Sequence, residues 1–183
     1  MDQPMSNFAF SMMSAMFKVR DLLRPRREIL GEVGIKPGFR VLDYGCGPGG
    51  YVAAAAELVG RSGMVYALDM HPLAIEKVEK IARKNQLANV KTIRSDCQTG
   101  LPDDSIDVVL LYDILHMLSD PHAVLAELRR VLKPDGVLSL NEPHMGEQDV
   151  LAAMTNGHAF RLARRGERTY SFVDAAPAAG LEA

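Results

Sequence analysis

Residues 41–50 read Val-Leu-Asp-Tyr-Gly-Cys-Gly-Pro-Gly-Gly, and their types and spacing are those of a cofactor-binding turn. Val41 and Leu42 read as the end of a buried strand. Gly45, Gly47, Gly49 and Gly50 make a tight turn, and Tyr51 to Val59 follows as a helix. A strand, a glycine turn and a helix in that order let a ligand approach the backbone, because glycine places no Cβ in its way. Two patterns overlap. Gly45, Gly47 and Gly50 satisfy the dinucleotide fingerprint G-x-G-x-x-G, which seats a pyrophosphate on the helix N-terminus. Asp43 with Gly45, Gly47 and Gly49 satisfies D-x-G-x-G-x-G. A carboxylate at the strand tip repels a pyrophosphate in a low-dielectric cleft and attracts a cation. It can also tie down the turn through its own hydrogen bonds.

The cofactor that suits the second pattern is S-adenosylmethionine, which has no phosphate and carries a sulfonium and an ammonium. Asp69, twenty residues after Gly49, ends the next strand-like run, where a carboxylate takes both ribose hydroxyls of an adenosine. That holds for NAD and S-adenosylmethionine alike, and Asp69 could instead cap the helix opened by Pro72. Asp96 ends the third strand and can accept the adenine amino group. Cys97 beside it reads as apolar wall, with no local activator for a nucleophile. Cys46 is the small side chain within the turn.

These residues need a scaffold, and the chain alternates strand-like and helix-like runs to supply it. Strands are expected at Phe39–Asp43, Met64–Asp69, Val90–Ser95, Asp107–Tyr112 and Val137–Asn141. Helices are expected at Asp21–Val33, Gly50–Val59, Pro72 to about Asn85, and His122–Leu132. Lys133-Pro-Asp-Gly136 reads as a turn, and residues 96–106 as a loop replacing the third crossover helix. A short helix over Asp149–Met154 then precedes a hairpin of Phe160–Leu162 and Thr169–Val173. Such β-α repetition predicts a mostly parallel sheet with right-handed crossovers, and ligands bind at the carboxyl ends of its strands.

With 183 residues, 48% hydrophobic, and a net charge of −2, the chain is large enough for one domain and has no basic footprint for nucleic acid. The arginine clusters at Arg24, Arg26 and Arg27, and at Arg161, Arg164, Arg165 and Arg168, read as solvated faces. Two cysteines make no disulfide framework, and no signal peptide or membrane span is evident, so a cytoplasmic protein is expected. The Met/Phe-rich N-terminus reads as a lid over an apolar pocket, or as a helix packed on the sheet or on another subunit. Residues 1–27 are assigned to this helical cap, 28–174 to the main domain and 175–183 to a flexible tail.

With these pieces in place, the chain resembles the class I S-adenosylmethionine-dependent methyltransferases. It is most similar to the type 11 branch that includes ubiquinone/menaquinone-biosynthesis enzymes. The resemblance covers about residues 28–141 and rests on Val41–Gly50, Val65–Asp69, Ser95-Asp96, Leu101–Asp107, Leu115-His116 and Arg130–Gly136. It implies an α/β Rossmann-like three-layer sandwich around a seven-stranded, mostly parallel sheet of order 3-2-1-4-5-7-6, with the last strand antiparallel. It also implies that Asp43, Gly45, Cys46, Gly47 and Gly49 lie along the methionine part of the cofactor. Asp69 and Met70 would hold the ribose and flank the adenine, Asp96 and Cys97 would meet the adenine edge, and Tyr112 and Asp113 would lie near the methyl group.

Transfer of an activated methyl group needs mainly alignment and desolvation, and a base only where the acceptor must lose a proton. The strand-tip candidates for that base are Asp113, His116 and His144. Met13, Met16, Phe17, Tyr112, His116, Glu142 and His144 are expected to face the substrate. Asp113 and Asn141-Glu142 also fall where metal-dependent catechol-type enzymes place oxygen ligands, but the rest of the chain follows the metal-independent branch, so no metal is expected. The reading is a methyltransferase with S-adenosylmethionine as cofactor and S-adenosylhomocysteine as product. It acts as a monomer or homodimer on a small, partly apolar acceptor. Two alternatives remain at this point, a non-catalytic S-adenosylmethionine-binding partner subunit and, more remotely, an NAD-dependent oxidoreductase.

Overall fold

The most apolar strand, β4 (Ile106–Tyr112), lies at the middle of the sheet, where both faces are covered. It pairs in parallel with β1 (Arg40–Tyr44) on one side and β5 (Leu132–Asn141) on the other. Beyond β1 come β2 (Met64–Asp69) and β3 (Val90–Arg94), also parallel. Beyond β5 comes β7 (Tyr170–Asp174), antiparallel to β5 and to its hairpin partner β6 (Phe160–Arg165). The order is therefore β3-β2-β1-β4-β5-β7-β6, as the resemblance implied. The computed structural model describes residues 6–12, 26–156 and 160–175.

Residues 7–12 are helical (α1), and the other helices are α2 (Arg26–Gly31), α3 (Val52–Val59), α4 (Pro72–Lys84), α5 (Pro121–Val131) and α6 (Glu147–Thr155). One face of the sheet packs on α5 and α6 through Leu42, Leu111, Leu125, Leu128 and Met154. The other packs on α2 and α3 through Leu30, Val41, Ala55, Val59 and Leu110. Each buried leucine contributes about 1.5–3 kcal/mol of transfer free energy. The helix after β2 starts at Pro72, with His71 as its cap: the His71 ring accepts the Leu73 amide at 3.1 Å. After β4 the chain makes a single 3₁₀ turn, Leu115–Met117, before Asp120 caps α5 by accepting the Ala123 amide at 3.0 Å.

Two details differ from the sequence expectation. β5 begins at Leu132, ahead of the Lys-Pro-Asp-Gly turn. Ile106 pairs with Leu132 and Val108 with Val137, so residues between form a bulge within the ladder. Asp107 fixes it, taking Lys133 Nζ at 2.5 Å and the Arg40 amide at 2.7 Å. The hairpin strand β6 also runs three residues further than its apolar residues predicted, because backbone pairing with β7 continues through exposed arginines.

The loop in place of a third crossover helix is held by side chains of α5. Glu127 Oε1 accepts the Thr99 amide at 2.8 Å and the Thr99 hydroxyl at 2.6 Å. Arg130 bonds Glu127, Asp103 and the Leu101 carbonyl. The Arg130 hydrogen bond holds the Glu127 carboxyl down, to about 2 from its usual 4.5, with Thr99 assisting against burial. At the far end of the chain, Glu32 accepts the Thr169 amide at 3.1 Å and its hydroxyl at 2.8 Å, tying the β6–β7 turn to the segment after α2.

Candidate cofactor and acceptor site

The glycine turn leaves β1 and is pinned to the end of β2, where the Leu68 carbonyl accepts the Gly45 and Cys46 amides, both at 2.9 Å. Gly47 has a φ of 51° and an open edge, with nothing within 4 Å of where a Cβ would stand. Its amide donates to Asp69 Oδ2 at 2.9 Å, and the His71 amide donates to Asp69 Oδ1 at 2.8 Å. Asp69 is thus fixed between the turn and the start of α4, with a second lone-pair site on each oxygen. Burial raises its pKa against those hydrogen bonds.

Asp43 is 2% exposed, and its Oδ2 has no hydrogen-bond partner among the described residues. Burial raises its carboxyl to about 7, with Arg26 opposing and Asp69 adding to the shift. A buried, unpaired carboxylate is costly unless a donor or cation reaches it. Asp43 therefore does not secure the turn by itself, and the residues present fit a ligand that brings positive charge to an open glycine edge.

The remaining cofactor positions surround this pair. Met70 is half-buried at the tip of β2. The Asp96 side chain is exposed, while its backbone carbonyl accepts the Tyr44 hydroxyl at 3.2 Å. Cys97 is half-buried against the core, and Cys46 is buried beside Val52, Ala67 and Val78. Burial pushes both thiols up, so neither is an activated nucleophile. Tyr112, expected against the cofactor and the acceptor, packs in the core cluster at the end of β4. It is 6% exposed, with its hydroxyl 2.9 Å from Ser139 Oγ and its ring edge-on to Tyr51.

At the tips of β4 and β5 the candidate acid–base residues come together. Asp113 follows β4 with a φ of 60°, an uncommon conformation for a residue other than glycine. A Cβ on Gly45 would stand 2.9 Å from Ile114, so this tip lies directly against the glycine turn. Glu142 is 7% exposed and accepts from the His116 amide, the His144 amide and the His116 ring. His144 Nε2 lies 3.1 Å from Asp113 Oδ1, and the two histidine rings are 4.9 Å apart. A cavity of about 410 Å³ opens beside Glu142, bounded by Tyr51, Arg26, Ile29, Pro143 and Arg168.

Sequence reasoning missed Arg26, which it placed on a solvated face. Arg26 is half-buried, its guanidinium lies 4.4 Å over the Tyr51 ring, and a Cβ on Gly50 would collide with it. The signal available was the arginine's place one turn before the apolar stripe of α2, which carries it to the glycine turn. Phe10, in the segment expected to be a lid or a helix packed on the sheet or on another subunit, stacks on His71 at 4.3 Å with 2% exposure. Met13, Met16 and Phe17 lie outside the described residues.

Residues 35–172 match the family model described as "Methyltransferase domain". Among curated proteins, the chain is 33% identical over 128 residues to a demethylmenaquinone methyltransferase of Geobacillus sp. (strain WCH70), covering 69% of this chain and 55% of the relative. It is 29% identical over 139 residues to the ubiquinone/menaquinone biosynthesis C-methyltransferase UbiE of Marinomonas sp. (strain MWYL1), covering 75% and 55%. The chain thus spans about half the length of these relatives. Among solved structures, an S-adenosylmethionine-dependent methyltransferase from Aquifex aeolicus superposes with a TM-score of 0.77 at 28% identity, covering 87% of this chain and 97% of that one.

Proposed function

This chain belongs to the methyltransferase-domain family, and from that premise we propose that it moves the methyl group of S-adenosylmethionine to a small, partly apolar acceptor. The observation that carries the reading is the contact between Gly45 and Ile114, which sets the cofactor turn against the cluster of Asp113, His116, Glu142 and His144. A cofactor along Asp43, Gly47 and Asp69 supplies an activated methyl group at that junction. The neighbouring cavity is of a size for a small molecule, and its lining mixes Ile29, Tyr51 and Pro143 with Arg26, Glu142 and Arg168. An acceptor with an apolar ring and one or two polar groups matches that lining.

In this reading Asp43 meets the positive end of the cofactor, Asp69 the ribose, and Asp96 and Cys97 the adenine edge. His116, His144 and Asp113 are the groups placed to hold a proton released by a protic acceptor. Phe10 on His71 supports the assignment of the N-terminal segment as a cap over the adenosine end. Among the described residues no helix is long and apolar enough to cross a membrane.

The test pairs calorimetry against S-adenosylmethionine, S-adenosylhomocysteine and NAD with transfer of a labelled methyl group to a panel of phenols, enolisable carbon acids and amines. Binding of both adenosyl ligands and label transfer to at least one class are expected. Binding of NAD alone overturns the reading, and adenosyl binding with no transfer to any class favours a non-catalytic subunit.

A further inference from the structure

The register of β4 and β5 brings two carboxylates and two imidazoles to one point. Tyr112 pairs with Asn141, and the Asp113 amide donates to the Asn141 carbonyl at 2.8 Å, so Asp113 and Glu142 leave the sheet side by side. The 3₁₀ turn after β4 then returns His116 to Glu142, with Nδ1 at 2.9 Å from Oε1. The turn after β5 returns His144 to Asp113, with Nε2 at 3.1 Å from Oδ1. The donor atoms of Asp113, His116 and Glu142 all lie within 4.8 Å of one another.

We propose that Asp113, His116 and Glu142 form a binding site for a single divalent first-row transition cation, with His144 beside it as the partner of Asp113. Three features carry this. First, ligands about 2.0–2.1 Å from such a cation stand roughly 3 Å apart in a tetrahedral or octahedral shell, which is the spacing of the His116–Glu142 pair. Second, the charge balances: two carboxylates present −2 to a dication. Third, Glu142 has no exposed side-chain surface, so its charge is buried, where a cation offsets the loss of water. An imidazole in the donor set favours zinc, iron, cobalt or nickel over magnesium or calcium.

The site adjoins the acceptor cavity through Glu142. A coordination position open to that side would hold an oxygen of the acceptor, and that role rests on the function proposed above. Cation binding does not, and the two fail separately.

The protein is stripped with a chelator, and its capacity for Co²⁺ is read from the visible absorption of the complex. Zn²⁺ affinity is read by competition with a chromophoric chelator. One equivalent is expected, lost or weakened at least about 100-fold in His116→Gln, and weakened about 10-fold or more in His144→Gln, which loses the partner of Asp113. The control His122→Gln, on exposed α5 surface, is expected to leave binding unchanged. Circular dichroism and S-adenosylhomocysteine affinity report whether each variant is folded, and His144, whose side chain is 59% exposed, is the variant least able to disturb the core. No saturable Co²⁺ or Zn²⁺ binding to the folded wild type overturns the site. So does one-equivalent binding that survives unchanged in folded His116→Gln.

Discussion

Tyr44 donates its phenol hydrogen to the backbone carbonyl of Asp96 at 3.2 Å, joining the end of β1 to the loop after β3 across β2. The hydroxyl therefore fixes the part of the cleft wall assigned to the adenine edge. Burial is the main reason the Tyr44 phenol is pushed well above its usual range, so it remains a donor at any ordinary pH. Replacing Tyr44 with Phe is expected to cost about 1 kcal/mol of stability and to weaken S-adenosylhomocysteine binding several-fold, the scale of one net hydrogen bond. Urea unfolding and calorimetry check this. Unchanged cofactor affinity with reduced stability would restrict Tyr44 to a structural role.

Asp69 holds two backbone amides besides any ligand, so removing the whole carboxyl also frees the glycine turn. Asp69→Asn retains one acceptor and is the cleaner variant. It is expected to weaken S-adenosylmethionine by about 1–3 kcal/mol, the range for a hydrogen bond to a charged group. Calorimetry at constant pH measures it, and an unchanged dissociation constant removes Asp69 from the ribose.

Asp43 makes stability and ligand binding depend on pH in opposite senses. Its folded pKa of about 7 exceeds the usual 3.8, so the folded protein keeps a proton that the unfolded chain releases. Stability attributable to this group is full below pH 3.8, falls as pH rises towards 7, and is level above. The span is at most about 4 kcal/mol, from roughly 1.36 kcal/mol per pKa unit. A cationic ligand favours the ionised carboxylate, so affinity is expected to rise over the same interval, with proton release on binding near pH 6. Unfolding curves across pH and calorimetry in buffers of different ionisation enthalpy test both. Asp43→Asn should flatten both dependences.

Glu127 acts with the opposite sign. Its folded pKa lies below the unfolded value, so its contribution is present above pH 4.5 and is lost as pH falls through about 2. Glu127→Gln removes the charge that holds Arg130 and Thr99 and is expected to lower stability at neutral pH by about 1–3 kcal/mol. The loop over 96–105 should become more accessible to hydrogen exchange, and acid unfolding of the variant should lose its steepest limb. Equal protection of that loop in both proteins would contradict the role given to Glu127.

Periodicity and turn residues made most of the fold readable. Met64–Asp69 stands where its apolar run placed it, and the absence of a stripe over 96–106 correctly announced a loop. Side-chain partnerships over long separations left no local pattern. Glu32 and Thr169 are 137 positions apart, and nothing near either predicts the bond between them. Arg26 looked like an ordinary surface arginine because its environment is made by the glycine turn, and the Tyr112–Ser139 pairing was invisible because the two lie on different strands. The glycine pattern identified a cofactor turn, whereas the convergence of Asp113, His116, Glu142 and His144 depended on β4–β5 register and on two short turns.

An open sheet has two edges, and here both carry the same sign of charge. The outer strand β3 exposes Lys91 and Arg94, and the opposite outer strand β6 exposes Arg161, Arg164 and Arg165. Among the described residues no further strand pairs with either, and such an edge offers backbone donors and acceptors to a strand of a neighbouring molecule, the usual route to aggregation. Brought together edge to edge, two copies of this chain meet cation against cation, so the sheets resist fusing into a longer one. The exposed cations of these strands are thus themselves a guard against edge-to-edge pairing.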